Sequence, residues 1–233
     1  MRILTFLILS FCLSIVSYAQ QDVKILMNDS SCIVLKSADI DSITFLSDKE
    51  KVINGCVFVD LGLPSGLYWA TCNVGATKET EIGEYYAWGE IQTRDYFQEG
   101  GSELYGAYHP ELLSDKEDVA HVRLGEGARI PTIENFRELF SKCKWTWRTN
   151  YKRSSMSGYL VTGPNKKTIF LPAGGDVISN TRYYYKEKGF YWTSTPNQAN
   201  NNNAWGLYML NGDFDVGNGY ERYTGFTIRP VAD

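Results

Sequence analysis

Residues 200–223 concentrate side chains that could hold a ligand. Asn200, Asn201, Asn202 and Asn203 form an unbroken amide run. Further on, "NGDFDVGNG" (211–219) sets Asp213 and Asp215 at alternate positions with Asn218 close behind, and Tyr220 and Tyr223 follow. Amides donate and accept, carboxylates accept, and tyrosine offers a flat apolar ring with a polar tip. The mixture suits recognition of a carbohydrate or of a protein surface: rings stack on apolar faces while amides and carboxylates satisfy hydroxyls. The same carboxylates raise calcium, a hard cation that wants six or more oxygens. Counted as an EF-hand loop from Asn211, the twelfth position falls on Arg222 where a glutamate is needed, so only a looser calcium site is left. The competing reading of Asn211-Gly212 is a hairpin turn.

Other reactive types are sparse. There is no GxSxG elbow, no HExxH and no P-loop. His109 and His121 fall in a polar stretch and read as solvated loop residues rather than general bases. Carboxylate pairs such as Glu81/Glu84 and Asp213/Asp215 read as solvated faces. The residues therefore point to a non-enzymatic chain without a cofactor. The charge balance, 23 Lys and Arg against 27 Asp and Glu, is mildly acidic and argues against nucleic acid as a partner.

The N-terminus bears on compartment. Arg2, the apolar stretch Ile3 to Val16 and the small-residue pattern Ser17-Tyr18-Ala19 read as a secretory signal peptide over residues 1–19. No other apolar run reaches the roughly 20 residues of a membrane helix. The expectation is an exported chain in the periplasm, on the cell surface or outside the cell. Cys32, Cys56, Cys72 and Cys143 would then meet an oxidising environment, where four cysteines allow three connectivities. If any pair forms, Cys72 with Cys143 is expected, because both lie in the strongest motifs; buried free thiols are the other reading. No CxxC is present, and the two histidines complete no familiar zinc set.

The elements that must position these residues are mostly short strands. "DVKILMNDSSCIVL" reads as a hairpin with a turn at Asn28-Asp29-Ser30, and "ADIDSITF" as a further strand. Residues 20–51 thus form a small β segment, and the charged "SDKEK" (47–51) reads as its linker. Such a segment can pair with the edge of a neighbouring chain, which makes a surface-assembly partner the alternative role. From residue 52 to 233 a larger domain is expected. Strands are read over Val57–Leu61 and Leu67–Thr71, and residues 92–127 as a long loop with one short helix around Leu112–Val119.

"RIPTIENFRELFSKCKW" is the clearest helix. Thr132 is its N-cap, Glu134 lies in the first turn, and Ile133, Phe136, Leu139, Phe140 and Cys143 form one buried stripe. "KWTWRTN", "GYLVTGPNKKTIFLP", "GFYWTST", "AWGLYML" and "TGFTIRPV" supply further strands, with Trp192 and Trp205 read as core. Many short strands with one or two helices say α+β with a mixed or antiparallel sheet.

The ordered set "VDLGLPSGLYWATCNVGA", "GEYYAWGE", "RIPTIENFRELFSKCKWTW", "GYLVTGPNKKTIFLPAGG", "FYWTST" and "TGFTIRPV" resembles the Fibrobacter succinogenes major paralogous domain family over residues 56–231. The family occurs in exported proteins of Bacteroides-like bacteria. The resemblance implies a C-type lectin-like fold, distantly similar to formylglycine-generating enzymes, which share the "R-[LI]-P-T-x-x-E" helix start. Those enzymes depend on a cysteine pair near the C-terminal part of the fold, and this chain has no cysteine after Cys143. An enzyme of that kind is thus only a remote alternative. In a lectin-like fold the C-terminal strands and loops commonly form the ligand surface, here Asn200–Asn203, Asp213, Asp215, Asn218, Tyr220 and Tyr223. The stretch from Trp192 to Val231 is also similar to the variable regions of lectin-fold proteins diversified by retroelements.

Overall fold

A computed structural model describes residues 23–26, 32–36 and 50–233. The chain divides into two compact units, Met1–Leu46 and Ser47–Asp233. In the first, β1 (Val23–Leu26) and β2 (Cys32–Leu35) pair antiparallel, with Val23 opposite Leu35. This is the hairpin expected from the alternation there. The signal peptide and the "ADIDSITF" strand lie outside the described residues.

The second unit begins earlier than the composition implies. Glu50 and Lys51, read above as linker, belong to β3 (Glu50–Ile53), which pairs with β4 (Cys56–Asp60). Between them Asn54 and Gly55 have φ of 44° and 78°, the double left-handed geometry of a two-residue hairpin turn. An edge strand tolerates the charge because one of its sides faces water.

In chain order there follow β5 (Tyr68–Ala70), α1 (Val119–Leu124), β6 (Ala128–Arg129), α2 (Ile133–Lys142), β7 (Lys144–Arg148), β8 (Gly158–Thr162), β9 (Thr168–Pro172), β10 (Asp176–Ile178), β11 (Thr181–Tyr183), β12 (Lys188–Pro196), β13 (Asn203–Leu210), β14 (Asp213–Glu221) and β15 (Val231–Ala232). A five-stranded sheet runs β3-β4-β5-β15-β6, and two three-stranded sheets run β7-β8-β9 and β12-β13-β14. Every pairing within them is antiparallel. The fold is α+β.

Helix α2 starts where its caps dictate. The Thr132 hydroxyl accepts the Asn135 amide at 3.3 Å while the Asn135 side-chain oxygen accepts the Thr132 amide at 2.9 Å, a reciprocal capping box. Its buried face carries Ile133, Phe136 and Leu139. Phe140 departs from the expected stripe and is 41% exposed. It lies at the margin of the face, where its ring meets Phe214 edge-on at 4.2 Å. The loop helix also differs: α1 begins at Val119, because Asp118 caps it by accepting the His121 amide at 3.0 Å. "TGFTIRPV" forms isolated bridges, Tyr86 to Phe226 and Tyr191 to Thr227, and only Val231–Ala232 is a strand.

The β12-β13-β14 sheet is faced on both sides, as period-2 alternation requires. Tyr191, Leu207 and Met209 enter one core with Trp69, Phe136 and Leu171. Phe190, Trp192 and Ala204 enter another with Trp88 and Phe226. Trp192 is buried as expected, whereas Trp205 is only half-buried.

Candidate functional site

The second face of that sheet is not wholly covered. Phe190 of β12 stands opposite Tyr208 of β13, and Asn218 and Tyr220 of β14 share the face. Toward one end Phe226 seals the sheet by stacking on Trp192, with ring centroids 4.3 Å apart. Toward the other the rings are left open. Tyr220 meets Phe226 edge-on at 5.0 Å and Phe190 at 5.7 Å, so the floor is a continuous aromatic surface. Asp176 and Ile178 of β10, with Tyr184 just past β11, raise a wall beside it. The result is an open cleft of about 500 Å³.

The wall depends on one glycine. Gly175 turns into β10 at φ +72°, and a Cβ there would sit 2.0 Å from the Tyr183 carbonyl oxygen. Neither the dihedral nor the space admits another residue.

The polar groups of the cleft are unevenly satisfied. Asp176 is only 7% exposed, and its Oδ1 has no hydrogen-bond partner. Burial pushes its carboxyl above the ordinary carboxylate range, against smaller pulls from its own backbone amide and from Lys188. The Lys188 ammonium lies over the Tyr184 ring, 3.8 Å from its centroid, and 5.7 Å from that of Tyr208. The Tyr220 hydroxyl is held well above its usual value by burial, with Asn218 opposing and Asp215, Tyr208 and Asp176 reinforcing. The orphaned Asp176 oxygen is enclosed in the wall, while Lys188, Asn218 and the Tyr220 ring line the cleft beside it.

Of the residues expected from sequence, Asn218 and Tyr220 line this cleft. Asp215 backs it, accepting the Asn218 side-chain amide at 2.9 Å. Asp213 is exposed at the start of β14. Tyr223 belongs to a separate hollow of about 410 Å³ with Phe97 and Ile178, its ring edge-on to Tyr105.

The run Asn200–Asn203 is not part of the cleft. Asn197 and Asn200 side chains accept the amides of Ala199 and Asn202, both at 3.0 Å, folding the connection into consecutive side-chain turns. Arg222 then ties it down, its Nε donating to the Asn203 carbonyl at 3.1 Å and Nη1 to the Leu104 and Ala107 carbonyls at 2.9 Å. The amides build a part-exposed turn at the sheet end.

Asp176, Tyr184, Lys188, Phe190 and Tyr208 escaped the sequence reading. One local signal was available for the wall: "DVISNTRY" sets β-branched and aromatic residues on either side of Ser179-Asn180, a hairpin pattern.

Cys72 and Cys143 are both free, so the expected pairing is not formed. Cys143 caps α2 and packs against the first core, whereas Cys72 lies beside Cys56 at the end of β5. His109 is no solvated residue: it sits edge-on to Trp88 at 5.1 Å and 3.2 Å from the Glu117 carboxylate. Among the described residues no group of three or more His, Cys, Asp or Glu gathers to hold a metal, and no helix is long and apolar enough to cross a membrane. Compared with known proteins, the chain matches no family model, no curated relative and no solved structure.

Proposed function

We propose that this is an exported, non-enzymatic recognition protein that binds a carbohydrate in the aromatic cleft on β12-β13-β14. The scaffold we infer is C-type lectin-like, of the kind found in Fibrobacter succinogenes major paralogous domains; the α+β architecture and the ordered motifs support that reading. The observation that carries the function is the open cleft of about 500 Å³ lined by Tyr184, Tyr208 and Tyr220, with Lys188, Asn218 and Glu221 supplying polar groups. Sugars present apolar C–H faces flanked by hydroxyls, and this surface complements both.

The test is a glycan array followed by calorimetry on the chain from residue 20 onward. Asp176→Asn and Tyr208→Ala are expected each to weaken binding about tenfold or more. Asn201→Ser, away from the cleft, should leave it unchanged. A chain that binds no glycan, or cleft variants that bind as tightly as the parent while folding normally, overturns the reading.

A second reading, a subunit of a surface assembly, rests on the separate β1-β2 hairpin, where Val34 is 58% exposed. Light scattering decides it: concentration-dependent association that disappears without residues 20–46 supports it, and an invariant monomer refutes it.

A further inference from the structure

The register of β4 and β5 brings two cysteines face to face. Phe58 stands opposite Ala70, and the Thr71 amide donates to the Val57 carbonyl at 2.8 Å. The paired ladder ends at Phe58 and Ala70; carried two residues further, its register sets Cys56 against Cys72. The Thr71 amide bonds to Val57, so the register carried one residue on assigns 56 and 72 to a non-hydrogen-bonded site, where paired strands approach to about 4.5 Å between Cα atoms. That separation lies at the short end of the range a disulfide spans. Cys56 packs on the face that carries Phe58, Ala70 and Tyr68, and alternation two residues on from Ala70 assigns Cys72 to the same face. The two thiols feel one another and the Cys72 amide reaches the Cys56 sulfur. Both are half-buried and free, hence within reach of an oxidant.

We propose that Cys56 and Cys72 close to a cross-strand disulfide when the chain meets a disulfide oxidant, and that this bond, rather than one between Cys72 and Cys143, is the oxidised form of the protein. One cysteine thiolate attacks a sulfur of the oxidant, for example oxidised glutathione, and expels one glutathione thiolate. The other cysteine attacks the mixed disulfide and expels the second. Two S–H bonds are lost and one S–S bond forms; the two electrons and two protons end on two glutathione thiols. Burial pushes the Cys56 thiol up to about 11, with Cys72 adding to the rise and the Arg229 guanidinium opposing it. Uncatalysed closure is therefore slow, and the closed bond releases a poor leaving group and resists reduction. The bridge closes the β4-β5 hairpin across its open end.

The experiment oxidises the purified chain with glutathione, alkylates remaining thiols and maps peptides by mass. The expected product is a peptide pair joining Cys56 to Cys72, with Cys143 alkylated. Reduction should lower Tm by roughly 5–10 °C, from the loop-entropy term for a chain of this size. Cys143→Ala should keep both the link and the shift, whereas Cys72→Ala, checked for folding by circular dichroism, should lose both. Alkylation of both Cys56 and Cys72 after oxidation, or a link from either of them to Cys143 or Cys32, overturns the proposal.

Discussion

Arg222 and Arg229 are wholly buried, and among the described residues neither forms an ion pair with a carboxylate. Arg229 spends its guanidinium on the Asn73 side-chain oxygen and the Ala70 and Phe170 carbonyls, each at 2.8 Å. One side chain thereby joins β5, β9 and the C-terminal segment, and burial lowers its affinity for the proton without removing the charge. Arg229→Ala orphans three acceptors and is expected to cost about 3–5 kcal/mol in urea unfolding. Arg229→Lys should not restore it, because an ammonium lacks the planar fork. Asp176 poses the opposite problem, a carboxylate buried without enough donors. Its folded pKa lies above its unfolded one, so its favourable contribution is present below about pH 4 and disappears as pH rises through the folded value. Asp176→Asn, which cannot ionise, should match the parent near pH 4 and exceed its Tm at neutral pH. A Tm series from pH 4 to 8 measures this; a difference that does not grow with pH contradicts it. These roles were hidden in the sequence. Nothing local tells a buried arginine in "TIRPV" from a surface one, and the three acceptors it finds are scattered from residue 70 to residue 170.

At the level of elements, the sheet face supplies the floor of the cleft and the β10-β11 hairpin supplies its wall. Gly175→Ala should therefore damage stability and ligand binding together. Compared with Gly66→Ala, which has the same φ of +72° but open space around it, it carries an added steric clash. We expect about 1 kcal/mol for Gly66→Ala and at least about 2 kcal/mol more for Gly175→Ala by chemical denaturation. Equal costs would show that the Tyr183 carbonyl yields easily. Legibility follows how local the determinants are. Helix α2 could be read to within a residue because Thr132, Glu134 and the spacing of Ile133, Phe136 and Leu139 all lie on the helix itself. The cleft could be read only in part. Asn218 and Tyr220 sit on β14, in a polar–aromatic stretch that attracts notice. Phe190 is core and Tyr208 looks like it, and only the neighbouring hairpin β10-β11 makes them part of a cleft. The asparagine run was legible as an exposed connection at the sheet end, while its tie to Arg222 depends on residues far away in sequence.

Across the whole molecule, the first strand of the main unit and its last residues share one sheet, and the Lys51 ammonium reaches the Asp233 carbonyl. A version beginning at Ser47 should unfold at the same temperature as the chain from residue 20, since the unit boundary precedes β3. One beginning at Asn54 lacks β3, uncovers the edge of β4 and should melt about 5 °C lower by calorimetry. The placement of β15 has a consequence for how the molecule is made. Val231 and Ala232 lie between β5 and β6, bonded to Trp69 and Tyr68 on one side and Arg129 and Ala128 on the other. The middle of that sheet therefore stays vacant until Val231 and Ala232 have been made. A nascent chain that has not yet reached Val231 therefore holds two unjoined half-sheets, and closure of this unit is a late, all-or-none event rather than a progressive one.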